Sequence, residues 1–217
     1  MCLIVLAWRA HPDFPLVVAA NRDEFHARPA APAEFWSDHP EILAGRDLTA
    51  RGTWMGVSRN GRFAAVTNYR GGTEPSAKHS RGALVVDFLR KGKRSVDGSS
   101  YSGFNLLTAD NDELWWMSNR DTERSGSPRK LEPGVYGLGN LLLESPEVEP
   151  AKERFRAAMP AMEPLFGALA PSKILNPQYG TRCSTILLRE MSGRTRYAER
   201  VFAPDGTDGE TRMFEFQ

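Results

Sequence analysis

Apolar and polar positions along this chain alternate in short blocks, and most of the apolar blocks have strand length. Residues 3–8 read Leu-Ile-Val-Leu-Ala-Trp and residues 16–20 read Leu-Val-Val-Ala-Ala, with His11, Pro12, Asp13 and Pro15 between them. Two such runs parted by a proline- and aspartate-bearing break predict a pair of buried neighbouring strands. The second run passes straight into Asn21, Arg22, Asp23 and Glu24, so a buried strand is expected to carry polar groups to the rim of a sheet. Residues 54–58 and 62–67 flank Arg59-Asn60-Gly61, and Asn-Gly between apolar runs is a strong hairpin signal. Residues 104–108 and 114–118 flank Asp110-Asn111-Asp112 as a third hairpin, and 135–138, 183–189, 195–202 and 212–216 read as further strands.

Helical spacing is confined to two places. Leu84, Val85, Phe88 and Leu89 share one helical face, which predicts a helix over 80–91 with Ser80 as its cap and basic residues at its end. A second block is expected at 150–158 and 163–169, kept short by Pro160, Pro164 and Pro171. The proline-bearing stretch 26–41 reads as an ordered loop. Residues 45–47 read as a turn, and 92–103 and 176–181 as loops. Strand runs interrupted by blocks of helix imply an α+β fold with mostly antiparallel sheets, and no linker interrupts a single domain spanning 1–217.

Composition narrows the partners. Twenty-eight basic residues against 27 acidic ones leave a net charge of +1, which gives no electrostatic reason to expect nucleic acid or an anionic membrane. No apolar run reaches the roughly 20 residues that span a bilayer, and the N-terminal run lacks the pattern of a signal peptide. Two cysteines, Cys2 and Cys183, make no disulfide framework; a reduced, cytoplasmic protein is expected. The four histidines stand at positions 11, 26, 39 and 79 without metal-ligand spacing, so neither a metal nor a cofactor is expected.

The candidate chemistry starts at residue 2. Once Met1 is removed, Cys2 carries a thiol and a free α-amine, with ordinary pKa values of about 8.5 and about 7.7–8.0. The amine can take the proton of its own thiol, which is a nucleophile and its base within one residue. A cation lowers the pKa of a neighbouring thiol, which suits Arg22 to favour a Cys2 thiolate and Asp23 to orient the α-amine. A structural ion pair at a strand end is the plainer account of Arg22 with Asp23 or Glu24, and Asn68 and Asn140 also suit ordinary turns. Cys183 reads as a small buried hydrophobe.

Cys2, the tetrad Asn21-Arg22-Asp23-Glu24, Gly52-Thr53-Trp54-Met55-Gly56, Thr67-Asn68-Tyr69-Arg70, Ser80-Arg81-Gly82, Gly137-Leu138-Gly139-Asn140 and Tyr179-Gly180-Thr181-Arg182 together resemble the NRDE family of transport and Golgi organisation protein 2 homologues. The resemblance covers nearly the whole chain, with the motifs in order. That family is similar to the cysteine-type N-terminal nucleophile hydrolases, which include penicillin V acylase and bile salt hydrolase. The resemblance implies a four-layer αββα sandwich, with Cys2 as nucleophile and Arg22 and Asp23 beside it. It also implies Asn68 and Asn140 as oxyanion-hole or amine-holding amides, and Arg182 as a late arginine. Asp23 follows Arg22 directly, whereas those hydrolases separate the two by three. Asn21, Glu24, Trp54 and Tyr69 are expected at substrate-binding positions, although core packing is the plainer account of the two aromatic rings.

The function so implied is that of a cysteine hydrolase or acyltransferase acting on a linear amide or a thioester of a small molecule, an amidohydrolase of non-peptide C–N bonds. The other reading is a non-catalytic carrier or chaperone for haem or for acyl-lipid or acyl-coenzyme A metabolites. Haem requires an axial ligand, and no histidine or methionine here stands in a ligation motif.

Overall fold

The computed structural model describes residues 2–71, 77–123 and 126–217. Met1, invoked above, lies outside them. Among the described residues the chain runs β1 (Leu3–Trp8), β2 (Leu16–Phe25), β3 (Ala30–Phe35), β4 (Ile42–Asp47), β5 (Met55–Ser58), β6 (Phe63–Asn68) and α1 (Gly82–Lys91). It continues through β7 (Phe104–Ala109), β8 (Leu114–Ser118), β9 (Arg129–Leu131), β10 (Gly134–Leu138), α2 (Glu149–Ala158) and α3 (Met162–Leu169). The last three strands are β11 (Tyr179–Arg189), β12 (Thr195–Phe202) and β13 (Asp208–Phe216).

By contact, the chain divides into two compact units. The first comprises Met1–Arg28, Glu132–Gly139 and Leu143–Gln217, the second Pro29–Leu131 and Asn140–Leu142.

The first unit holds a six-stranded sheet in the order β10-β1-β2-β11-β12-β13, antiparallel throughout. Alternate residues of its inner strands (Leu3, Val5, Val17, Ala19, Ile186 and Leu188) pack against Phe155, Leu165 and Leu169 of α2 and α3. Burial of side chains this size contributes about 1.5–3 kcal/mol each, and this is the force that seats the helices on one face. Period 2 then fixes what the other face carries. Asn21 pairs with Leu3 and donates to the carbonyl of Leu169, 3.2 Å away, so it belongs to the helix face. Arg22 points to the opposite one.

The second unit holds a seven-stranded sheet in chain order from β3 to β9. Helix α1 covers it with Leu84, Val85, Phe88 and Leu89 against Ile42, Ala64, Val66 and Leu106. Two of the motif glycines act here. A Cβ on Gly52 would stand 2.7 Å from the carbonyl carbon of Gly82 and 2.9 Å from its oxygen, so neither position admits a side chain where the loop meets the start of α1.

Several expectations change, the loop expected at 176–181 among them, because β11 begins within it at Tyr179. The stretch 26–41 is not all loop, because β3 forms within it and pairs with β4 in spite of Pro32. As an edge strand it tolerates a residue without an N–H. Residues 45–47 are not a turn but the end of β4. Ser80 does not cap α1: the N-cap position is Arg81, which makes no side-chain cap bond.

Candidate functional site

The tetrad is not a rim beyond β2 but its last turn of pairing. Asn21, Arg22 and Asp23 are buried, with 2%, 5% and 4% of their surface exposed, and each buried polar side chain is placed by a specific partner. Asn21 Oδ1 accepts from Ser184 Oγ at 2.6 Å. Asp23 Oδ1 accepts from Thr181 Oγ1 at 2.6 Å, and that hydroxyl in turn accepts from the Ile174 N–H at 2.8 Å. Arg22 Nη2 stands 3.7 Å from Glu24 Oε2, which also faces Arg28 Nε at 3.8 Å.

Two donors from distant parts of the first unit meet at one backbone oxygen here. The Cys2 thiol donates to the carbonyl of Asp23 at 3.5 Å, and the Tyr179 hydroxyl donates to the same oxygen at 3.2 Å. The approach of β11 depends on a bulge. Tyr179, Gly180 and Thr181 pair with Phe25, Glu24 and Asp23, after which the register shifts and Cys183 pairs with Arg22. Bulges of this kind re-aim side chains. Here it gives Asp23 its hydroxyl partner while setting Cys183 beside Arg22.

Continuing the β1–β2 register puts Cys2 opposite Arg22 as well. Arg22 therefore stands between two thiols on one face of the sheet. The electrostatics do not follow the cation alone. Burial pushes the Cys2 thiol up, and the Asp23 carboxylate adds to this; a backbone hydrogen bond at Asp23 and the Arg22 guanidinium pull the other way without prevailing. Cys2 keeps partial exposure, yet the protein around it desolvates the thiol. The balance leaves the thiol pKa above its ordinary value, with Arg22 acting to lower it. Cys183 is pushed up much further, by burial first and then by Glu199, and is an inert part of the core.

Arg182 is occupied. Its Nη1 donates to the carbonyls of Phe25, His26 and Arg28 at 3.0, 3.3 and 3.1 Å, which ties down the chain as it leaves β2. Burial and the nearby Arg22 cation lower its pKa.

The remaining candidates belong to the second unit. Asn140 Nδ2 donates to the Asn68 carbonyl at 2.7 Å, and the Asn140 carbonyl accepts from the Arg70 N–H at 2.6 Å. The two asparagines are thus brought together, with one amide hydrogen of Asn140 spent on backbone. Asn105, which no motif singled out, holds the same segment by donating to Thr67 Oγ1 at 3.2 Å and to the Leu141 carbonyl at 2.8 Å. The Trp54 carbonyl accepts from Val66 and the Tyr69 N–H donates to the Gly103 carbonyl; both rings are partly buried. An open groove of about 720 Å³ lined by Asp97, Tyr101, Asn119 and Asp121 contains none of the candidate residues.

Thr181 and Tyr179 are the residues that sequence reasoning passed over. Their only signal is membership of the Tyr-Gly-Thr-Arg motif, most of which falls in the stretch 176–181 expected as a loop. Among the described residues no group of three or more His, Cys, Asp and Glu side chains is placed to hold a metal ion, and no helix is long and apolar enough to cross a membrane.

The model of the family described as Transport and Golgi organisation 2 matches residues 1–166. The bovine Transport and Golgi organization protein 2 homolog is 34% identical over 276 aligned residues, covering 100% of this chain and 99% of its own length. The human homolog is 32% identical over 275, with the same coverage. Among solved structures, a penicillin V acylase from Agrobacterium tumefaciens is similar with a TM-score of 0.54, 12% identity and coverage of 92% of this chain and 83% of its own. The Caenorhabditis elegans ortholog of N-acylethanolamine-hydrolyzing acid amidase is similar with a TM-score of 0.50, 10% identity and coverage of 86% and 92%. The α+β fold expected from the hairpins is therefore the αββα type of the N-terminal nucleophile hydrolases.

Proposed function

Because this chain belongs to the Transport and Golgi organisation 2 family and shares the fold of the N-terminal nucleophile hydrolases, we propose that it is a cysteine hydrolase or acyltransferase. Its substrate is a linear amide or a thioester of a small molecule, and Cys2 is the nucleophile. The observation that carries this reading is the Cys2 thiol 3.5 Å from the Asp23 carbonyl, on the face that also carries Arg22. Two structural neighbours named as an amidase and an acylase support the reaction class.

A thiol whose pKa is raised needs a base. On removal of Met1 the α-amine of Cys2 is that base: it takes the thiol proton as sulfur attacks the acyl carbon. The acyl group passes to sulfur and the amine or thiol of the substrate departs with the proton that the α-amine had taken. Water, or an acceptor nucleophile, then attacks the thioester, and its own proton passes through the α-amine to the departing sulfur. Donors at the oxyanion contribute roughly 3–4 kcal/mol in sites of this kind. Asp23, held by Thr181, orients the protonated amine.

A second reading is a non-catalytic carrier of acyl-lipid, acyl-coenzyme A or haem, which a thiol hydrogen-bonded to the Asp23 carbonyl and raised in pKa by burial would also suit. Mass spectrometry separates the two. The native protein, shown by intact mass to lack Met1, is exposed briefly to a panel of acyl amides and acyl thioesters, acyl-coenzyme A included. An acyl mass on the peptide beginning at Cys2, absent in Cys2→Ser or formed there far more slowly, is the expected result. No adduct from any compound that demonstrably binds would establish the carrier instead.

A further inference from the structure

We propose that Arg182 and Arg28 together form an anion subsite for the substrate of Cys2, so that the amide or thioester carries a carboxylate or a phosphate; the inference rests on Cys2 being the nucleophile. The observation behind it is a cation held in place without a counter-ion. Arg182 spends Nη1 on the carbonyls of Phe25, His26 and Arg28. Among the described residues its Nε and Nη2 have no partner, and no carboxylate stands within ion-pair distance of it. Those two nitrogens form one edge of the guanidinium, the fork that takes two oxygens of a carboxylate or phosphate. A guanidinium keeps its charge at any physiological pH, so the fork is always cationic.

The strand registers place this cation with Cys2. Apart from burial, the groups that weigh on Arg182 are Arg22, Cys183 and Glu24. Arg22 and Glu24 project from one face of β2 by period 2. Cys183 pairs with Arg22 from β11, and Cys2 stands opposite Arg22 from the β1 side. Arg182 therefore sits among side chains of the face that carries the thiol.

Positive charge is in excess there. Arg22 Nη2 and Arg28 Nε lie 3.7 and 3.8 Å from the same oxygen of Glu24, both beyond hydrogen-bond distance. The other Glu24 oxygen accepts from the Phe25 N–H at 2.9 Å, and the Asp23 carboxylate is bonded to Thr181. The three guanidiniums of Arg22, Arg28 and Arg182 thus meet two carboxylates. Burial, and next the nearness of Arg22, lower the pKa of Arg182; a bound anion would relieve that repulsion. Side-chain exposure rises from 5% at Arg22 through 24% at Glu24 to 35% at Arg28, so an anion arriving from solvent meets Arg28 first.

The test is alkylation of the native chain by iodoacetate and by iodoacetamide, reagents of nearly equal size that differ in charge. The Cys2 peptide is followed by mass spectrometry, and the ratio of the two rates cancels the thiolate fraction that both reagents share. Relative to a cysteine in an unstructured peptide, Cys2 is expected to favour iodoacetate by about tenfold or more at low salt. The excess should fade at about 1 M salt, where screening acts over about 3 Å. Arg28→Gln keeps the carbonyl that Arg182 bonds and removes only an exposed ion pair, which contributes little to folding. It is expected to lose most of the excess, and Arg28→Lys to retain part of it. Acetate and inorganic phosphate are then added as competitors, and the one that slows iodoacetate in wild type but not in Arg28→Gln identifies the group as carboxylate or phosphate. A ratio equal to that of the peptide, an excess that survives Arg28→Gln, or competition by neither anion would each overturn the subsite. None of these readouts needs acylation. An excess that passes them in a protein acylated by no compound would leave the subsite standing and bring down Cys2 as nucleophile.

Discussion

At Cys2, proximity to a cation and the ionisation of the thiol part company. Arg22 lowers the thiol pKa, but burial and the Asp23 carboxylate outweigh it. Alkylation of Cys2 by iodoacetamide is therefore expected to be slow at pH 7 and to rise with pH beyond the range of an ordinary thiol, about 8.5. In folded Arg22→Ala the opposing contribution is gone. The rate at pH 7 should drop by up to about tenfold for each unit that the pKa rises, and unchanged labelling would assign Arg22 to structure alone. Thr181 offers a finer cut. Its hydroxyl donates to Asp23 and accepts from Ile174, so Thr181→Val strands a buried carboxylate oxygen at a cost of about 1–3 kcal/mol. Thr181→Ser keeps both bonds. Chemical denaturation of the two variants should separate them by that amount, and equal stability would mean that the short contact contributes little.

Among the elements, the junction of β2 with β11 is where fold and candidate chemistry meet. Its ladder is continuous except at the shift between Thr181 and Cys183, and the close approach at Gly180 keeps the early part of β11 in place. Gly180→Ala is expected to destabilise by about 1–3 kcal/mol, as overpacking does, and also to change the labelling rate of Cys2, because Tyr179 and Thr181 move with it. Gly52→Ala meets the backbone of Gly82 just as tightly but belongs to the second unit. It should cost a similar amount and leave the labelling rate alone. Thermal unfolding and iodoacetamide kinetics on both variants check the contrast; a shared effect on labelling would show that general loosening, rather than the β11 segment, controls the thiol.

For the molecule as a whole, buried ionisable groups make stability depend on pH at the alkaline end. Burial, with Glu199 next in importance, pushes Cys183 and Tyr197 well above their ordinary values. Each therefore holds its proton more tightly in the folded chain than in the unfolded one. The contribution is complete below the unfolded-state pKa and is lost as pH rises from there through the folded-state value. Stability should decline from about pH 8.5 upward, by as much as about 1.4 kcal/mol per pH unit for the thiol, with the phenol joining near pH 10. Urea unfolding between pH 8 and 10 measures the slope. Cys183→Ala is expected to flatten its first part whatever its effect on stability at pH 7, and an unchanged slope would show that Cys183 is not the group responsible.

The order of apolar blocks by itself determined the hairpins of β1 with β2, β5 with β6 and β7 with β8, and the span of α1 to within two residues. Those signals are local: period 2, period 3.6, and a turn residue such as Asn60-Gly61 that fits few other conformations. The motif that ends β2 was legible for the same reason, as was the family, through blocks kept in order. Only the tertiary structure decided the rest. That β3 forms from a proline-bearing stretch follows from its pairing with β4, and that β11 begins at Tyr179 follows from its ladder with β2, more than 150 residues earlier. The bulge that gives Asp23 its Thr181 partner, the three carbonyls that occupy Arg182, and the carbonyl shared by Cys2 and Tyr179 are likewise products of register. The protonation of Cys2 is further still from the sequence, because it is a balance of desolvation against charges whose distances exist only once the strands are paired.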